Sequence, residues 1–249
     1  MSNQVIVFLG PTLPVSEARR VLEADYRPPV AQGDVLRAVT EQPAAIAIID
    51  GYFANMPSVW HKEILFALHR GIPVLGAASM GALRAAELHS FGMTGIGDIF
   101  AAYLDGRLED DDEVAIIHGP GEIGYPMLSE AMVNIRRTLS DAFAAGIITA
   151  YQRQQLQRIA KDLPYRERSF GRVFREAVEE GAGAAELERL RVWIAEGGHV
   201  DQKRLDALAL LAHIRDGMAM GSLKVTPSFA FEHTFNWDRV AQPVLSVPV

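Results

Sequence analysis

The side chains best suited to chemistry fall at a few short, punctuated positions. Ser79 lies in residues 72–88, IPVLGAASMGALRAAEL, where an apolar run breaks at Gly76 and a strongly helical stretch resumes after Gly81. That order reads as strand, tight turn, helix, with a serine hydroxyl on the turn. The pattern Ala77-x-Ser79-x-Gly81 is one residue away from the nucleophile elbow of hydrolases, with alanine in place of the first glycine. Ser79 is either a nucleophile or the cap of the following helix, and the two roles are compatible. As a nucleophile it would have the N–H groups of Met80 and Gly81 to hold a developing oxyanion. It would also need a base. His61 sits in the first turn or two of a helix, where the dipole favours neutral imidazole, and His118 directly follows an apolar run. Lys62 is a third candidate if it is desolvated, and a solvated surface lysine otherwise. Asp50 either orients a histidine, binds substrate, or simply forms the Asp50-Gly51 turn. Glu87 reads as an orienting acid or a surface charge. Arg84 reads as a substrate contact or the partner of an acid.

Other constellations point away from special chemistry. Five adjacent acids, Glu109 to Glu113, cannot all converge on one ion, so a solvated, self-repelling loop and no metal are expected there. Gly92, Gly95 and Gly97 follow a helix rather than a strand and so lack the context of a dinucleotide fingerprint. No cofactor is expected.

The elements that must position these residues alternate. Apolar runs at 5–9, 45–49, 72–75 and 114–117 read as four strands. Between them, 15–24 (capped by Ser16), 32–40 and 58–70 read as helices, with 26–30 extended by its prolines. A glycine-rich loop at 91–97 and a short helix to residue 103 precede the fourth strand. Strands alternating with helices argue for an α/β fold, a mostly parallel sheet flanked by helices. Thr12, Asp50, Ser79 and His118 each follow a strand, so they share the carboxyl edge where open α/β sheets bind ligands. From 126 the pattern turns wholly helical, and from 218 it becomes a proline- and aromatic-rich tail, read as an extended arm lying on this chain or on another one. The expected organisation is an α/β domain at 1–125, a helical domain at 126–217 and the tail at 218–249.

Composition narrows the class. With 49% hydrophobic and 22% charged residues in 249, the chain is a globular protein with a real core. A net charge of −7 argues against a sequence-independent nucleic-acid binder. The absence of cysteine excludes disulfides, thiolate metal sites and a cysteine nucleophile. The start, MSNQVIVFLGPTLP, lacks a basic n-region, and no run is long enough to span a membrane, so the cytoplasm is expected.

The stretches VFLGPTLP, YRPPVAQGD, IIDGYF, WHKEI, GAASMGALRAAEL, LEDDDEVAIIHGP and LSEAMVNIR follow one another between residues 5 and 140. In that order they closely resemble the TfuA-like family. Members of that family accompany YcaO proteins, which activate peptide-backbone amides with ATP, and the pair installs thioamides. The resemblance implies that this chain supplies sulfur by hydrolysing a thiocarboxylated ubiquitin-like (ThiS-like) carrier, with Ser79 attacking the thiocarboxyl carbon. Such a carrier ends in a flexible Gly-Gly tail. The small residues Gly10-Pro11-Thr12 and Gly119-Pro120-Gly121 could line a narrow channel for it, or serve as ordinary turns. The alternative is a non-catalytic subunit that docks on YcaO or its peptide through the tail and helical half. The sequence leaves self-association open.

Overall fold

Val5–Phe8 (β1) and Ala45–Ile48 (β3) are apolar runs buried along their whole length, as strands covered on both faces must be. With Asp25–Arg27 (β2), Val74–Gly76 (β4) and Thr94–Gly95 (β5) they form one parallel sheet in the order β2-β1-β3-β4-β5. The structure, a computed structural model, describes residues 4–53 and 56–245. The strands are linked by Val15–Val21 (α1), Asp34–Thr40 (α2), His61–His69 (α3) and Met80–Leu88 (α4), and β5 is followed by Asp98–Leu104 (α5). This is the α/β architecture expected, a doubly wound sheet whose chain direction reverses between β1 and β3. Right-handed crossovers put α1 on one face and α2, α3 and α4 on the other.

Several local expectations are corrected. The expected fourth strand at 114–117 is not in the sheet. The edge strand is instead β5, inside the segment read as a glycine-rich loop. Gly95 is needed there because a Cβ would stand 2.0 Å from the Phe100 ring. The cap of α1 is Pro14, with no side-chain hydrogen bond, so Ser16 has no capping role.

Two compact units divide the chain. One runs to Glu109 and resumes at Arg204, and the other is Asp110–Lys203. The second unit is helical: Met132–Ala144 (α6), Ala150–Asp162 (α7), Phe170–Glu179 (α8) and Ala184–Trp193 (α9). Its core joins Met132, Ile135 and Leu139 of α6 to Leu156 and Ile159 of α7, Val173 of α8 and Leu190 of α9. The acidic run lies at the start of this unit: Glu109, Asp110 and Asp111 are exposed, as in a solvated loop, but Asp112 is half-buried and Glu113 is buried. Arg168, with its side chain fully buried, donates to the Asp112 carboxylate (2.8 Å) and to the carbonyls of Ala160, Asp112 and Leu163. Lys161 pairs with Asp110 (2.9 Å), Glu113 (3.1 Å) and Asp112, and Arg136 pairs with Glu113 (2.8 Å). Burial acts to raise the Asp112 carboxyl, but its bonds to Lys161 and Arg168 prevail and hold it below the usual carboxylate range. The three carboxylates that converge here do so on cations. Those ion pairs, and the Lys203 ammonium on the Val114 carbonyl (3.0 Å), keep 110–117 in the helical unit.

Gln202–Met220 (α10) carries the chain back to the α/β unit. A sheet with α1 alone on one face would leave part of that face bare. Ala207, Leu210, Leu211 and Ile214 cover it, sharing a core with Val5, Val7, Ala45, Ala47, Leu75 and Ala18. Asp206 also caps α5, accepting the N–H groups of Asp98 (3.2 Å) and Ile99 (2.8 Å). The α/β unit therefore takes in a helix that the sequence placed in the helical region, together with the tail. The tail lies on this chain, one of the two placements expected, and part of it is helical rather than extended. Phe231 meets Phe66 of α3 edge-on at 5.4 Å, Trp237 lies tilted against the same ring at 5.2 Å, Phe229 meets Phe91 at 5.6 Å, and Phe235–Leu245 form a further helix (α11). Trp237 is 1% exposed. Its replacement by alanine is expected to cost about 3–5 kcal/mol, read as a lower urea midpoint for the α/β unit.

Candidate functional site at the carboxyl edge of the sheet

The point where strand order reverses lies between β1 and β3, and the residues just beyond those strands meet there. Asp50, 2% exposed, follows β3. One of its oxygens accepts the N–H groups of Gly10 (2.9 Å) and Thr12 (3.0 Å), and the other accepts the Thr12 hydroxyl (2.6 Å). Three donors on one carboxylate make Asp50 the anchor of the β1 loop, rather than the partner of a histidine. Alanine would leave all three donors without this acceptor. Asp50→Ala should cost about 2 kcal/mol or more and loosen the 10–12 loop, seen as faster amide exchange at Thr12. Gly10 is small for an internal reason: a Cβ would come 2.4 Å from Pro29. Gly119 likewise fits against Pro126, at 2.8 Å. Their size is used in packing within the chain and supplies no argument for a channel along Gly10, Pro11, Thr12 or Gly119.

Ser79 sits where β4 turns into α4. Its N–H bonds back to the Ala77 carbonyl (2.8 Å), which forces Ala78 to φ 65°. An alanine in the left-handed region is a strained position. The Ser79 carbonyl accepts the N–H groups of Ala82 (3.0 Å) and Leu83 (3.3 Å), so α4 starts normally. The hydroxyl does not cap it: it makes no capping bond, and none to any described residue, although Ser79 is only 3% exposed. Of the two expected oxyanion donors, the Gly81 N–H is committed to the Ile49 carbonyl at 3.3 Å, while that of Met80 bonds to none of the described residues. Gly51 brings the β3 loop beside this turn, since a Cβ there would meet the Met80 side chain at 2.7 Å.

The expected bases are elsewhere. His61 bonds through Nε2 to Glu87 (2.8 Å), and Arg84 donates to the same carboxylate oxygen (2.8 Å) and to the Val59 carbonyl (3.3 Å). Burial acts to raise the Glu87 carboxyl, but the His61 bond and the Arg84 charge outweigh it and draw it below its ordinary value. Glu87 lies eight residues beyond Ser79, about 12 Å along the helix, so the imidazole it orients stands down the side of α4. Lys62 donates to Thr234 of the tail (3.3 Å) and lies over the Phe231 ring (5.4 Å). His118 follows no strand. It belongs to the helical unit, where its Nδ1 bonds to the Gly119 carbonyl (2.8 Å) and its ring meets Tyr125 at 5.4 Å. The structure thus joins Thr12 to Asp50 and His61 to Glu87 and Arg84, and among the described residues no base bonds to Ser79.

One buried acid escaped the sequence reading. Glu63, fully buried, accepts N–H groups from Gly33 (2.8 Å) and Leu36 (3.3 Å) at the start of α2 and from Trp60 (3.3 Å) at the start of its own helix. It fastens two helix ends at the carboxyl edge. Burial raises its carboxyl despite those donors. Its place in the first turn of α3, where an acid can reach back to the capping residue's N–H, is the signal that could have revealed it.

No helix among the described residues is long and apolar enough to cross a membrane. No curated protein matches the chain. The family model described as TfuA-like protein matches residues 50–169. The match starts at the Asp50 anchor, takes in the Ser79 turn and His61, and continues through α6 and α7 of the helical unit. The TfuA-like family is associated with YcaO-dependent thioamidation, as a partner of YcaO. Over residues 50–169 this chain is similar to the TfuA-like protein family.

Proposed function

We propose that the chain supplies sulfide to a YcaO partner by hydrolysing a thiocarboxylated ubiquitin-like carrier at Ser79. The observation that carries this reading is the Ser79 hydroxyl itself. It lies at the carboxyl edge, on a strained strand-to-helix turn, and is spent on no cap. The chemistry tolerates the lack of a histidine on it. Ser79 attacks the thiocarboxyl carbon, the carbon–sulfur bond breaks, and the serine proton leaves on sulfur as hydrosulfide. Water then cleaves the serine ester, giving the carrier carboxylate and a proton and restoring the hydroxyl. Hydrosulfide is a better leaving group than an amine or alkoxide, so the first step needs little activation. The Met80 N–H supports the oxyanion.

The test is incubation of the full chain with a thiocarboxylated carrier, following carrier mass and free sulfide. Unchanged carrier would end the hydrolase reading. The absence of a hydrogen-bonded base favours a second reading, a subunit that stimulates YcaO without breaking bonds. In that case Ser79→Ala leaves YcaO stimulation intact. Truncation near Met218 does not separate the two, because the tail it removes packs into the α/β unit.

A further inference from the structure

The Ser79 turn has the features of an anion site with a narrow capacity. Helix α4, nine residues long, begins there with its positive end. Of the first N–H groups, those of Gly81, Ala82 and Leu83 are committed to Ile49 and Ser79 carbonyls, which leaves the Met80 N–H. Independently, Ser79 at the amino end of that helix is only 3% exposed as a residue, and its hydroxyl has no partner among the described residues. The hydroxyl oxygen is not among the buried atoms left without a partner, so a ligand arriving at the carboxyl edge can bond to it. Two donors, one N–H and one O–H, match the two oxygens of a carboxylate. The turn itself carries no cation to balance a dianion, residues 76–81 being Gly-Ala-Ala-Ser-Met-Gly, and the next basic residue along the chain, Arg84, is held by Glu87 and Val59.

We infer that the Ser79 turn binds carboxylates in preference to phosphate, so that the carboxylate left by hydrolysis remains bound as a competitor of the next thiocarboxylate. The inference rests on Ser79 marking the site, but it requires no bond breaking. Acyl-glycine carboxylates are the ligand class tested here, because a carbonyl with a small, unbranched neighbour is what a turn walled by Gly51, Ala77, Ala78 and Met80 admits.

The test is titration of the full-length chain with N-acetylglycine, N-acetylglycinamide and inorganic phosphate, following the backbone amide resonances by NMR. N-acetylglycine should shift the Met80 amide saturably. The amide should not, and phosphate should bind more weakly than the carboxylate. Ser79→Ala should weaken N-acetylglycine binding about tenfold or more. Equal shifts from the glycinamide, tighter binding of phosphate, no saturable shift at Met80, or undiminished affinity in a folded Ser79→Ala would each overturn the inference. The wild-type comparison of acid with amide stands even if the variant does not fold. If no thiocarboxylated carrier is hydrolysed while the Met80 titration succeeds, the hydrolase reading fails and the carboxylate site remains.

Discussion

Replacing Ser79 with alanine is expected to lower sulfide release from a thiocarboxylated carrier by at least about a thousandfold. The loss of a nucleophile on this scale is catalytic, so fold stability should hardly move. The hydroxyl makes no capping bond, and its removal should change the unfolding free energy by no more than about 0.5 kcal/mol. The opposite pattern is as informative. A cap serine costs about 1 kcal/mol on removal and leaves chemistry untouched. Sulfide kinetics and urea unfolding of the same variant therefore separate the two roles that residues 72–88 leave open, and full activity in Ser79→Ala would remove the nucleophile assignment.

The second large effect is on stability and lies two residues away. On an exposed helix, glycine to alanine stabilises by about 1 kcal/mol. At Gly81 the sign reverses. A Cβ would come 1.8 Å from the Ile48 carbonyl oxygen, which is strand backbone and cannot turn aside. Gly76 is its counterpart, with a Cβ 2.1 Å from the Gly81 carbonyl oxygen. Helix α4 thus lies on β3 and β4 backbone to backbone, and the Ser79 turn is held by that contact. Gly81→Ala should cost about 3 kcal/mol or more, which for a chain of this size lowers the melting temperature by about 6–12 °C. A variant as stable as the parent would show that the helix does not rest on the strand this way.

These two residues also separate what was legible in the chain from what was not. The strand-turn-helix around Ser79 follows from a local pattern: apolar run, small residues, helix formers. So do β1, β3 and the helices α2 and α3, because each is a short segment whose period and punctuation lie within its own residues. Asp50 was visible as a polar residue after a strand. Its bonds to Gly10 and Thr12 were not, since they join positions 38 and 40 residues apart. His118 shows the limit more sharply. Residues 114–117 are as apolar as a strand, but the ion pairs of Asp112 and Glu113 with Lys161, Arg168 and Arg136 draw the segment into the helical unit. No pattern inside 114–117 could record partners that arrive from α6, α7 and residue 168.

The same division holds for the chain's ends and its chemistry. Local sequence determined the alternation of strands and helices, the turn that carries Ser79 and the likeness of residues 50–169 to the TfuA-like family. Tertiary structure alone decided that α10 and the aromatic tail complete the α/β unit, because an uncovered sheet face and the Phe66 ring demand apolar partners wherever the chain can provide them. It alone decided the partners of the candidate groups: His61 on Glu87, Lys62 on the tail, and for the Ser79 hydroxyl none among the described residues. Side-chain hydrogen bonds depend on positions within a few tenths of an ångström, and only the packed molecule sets those.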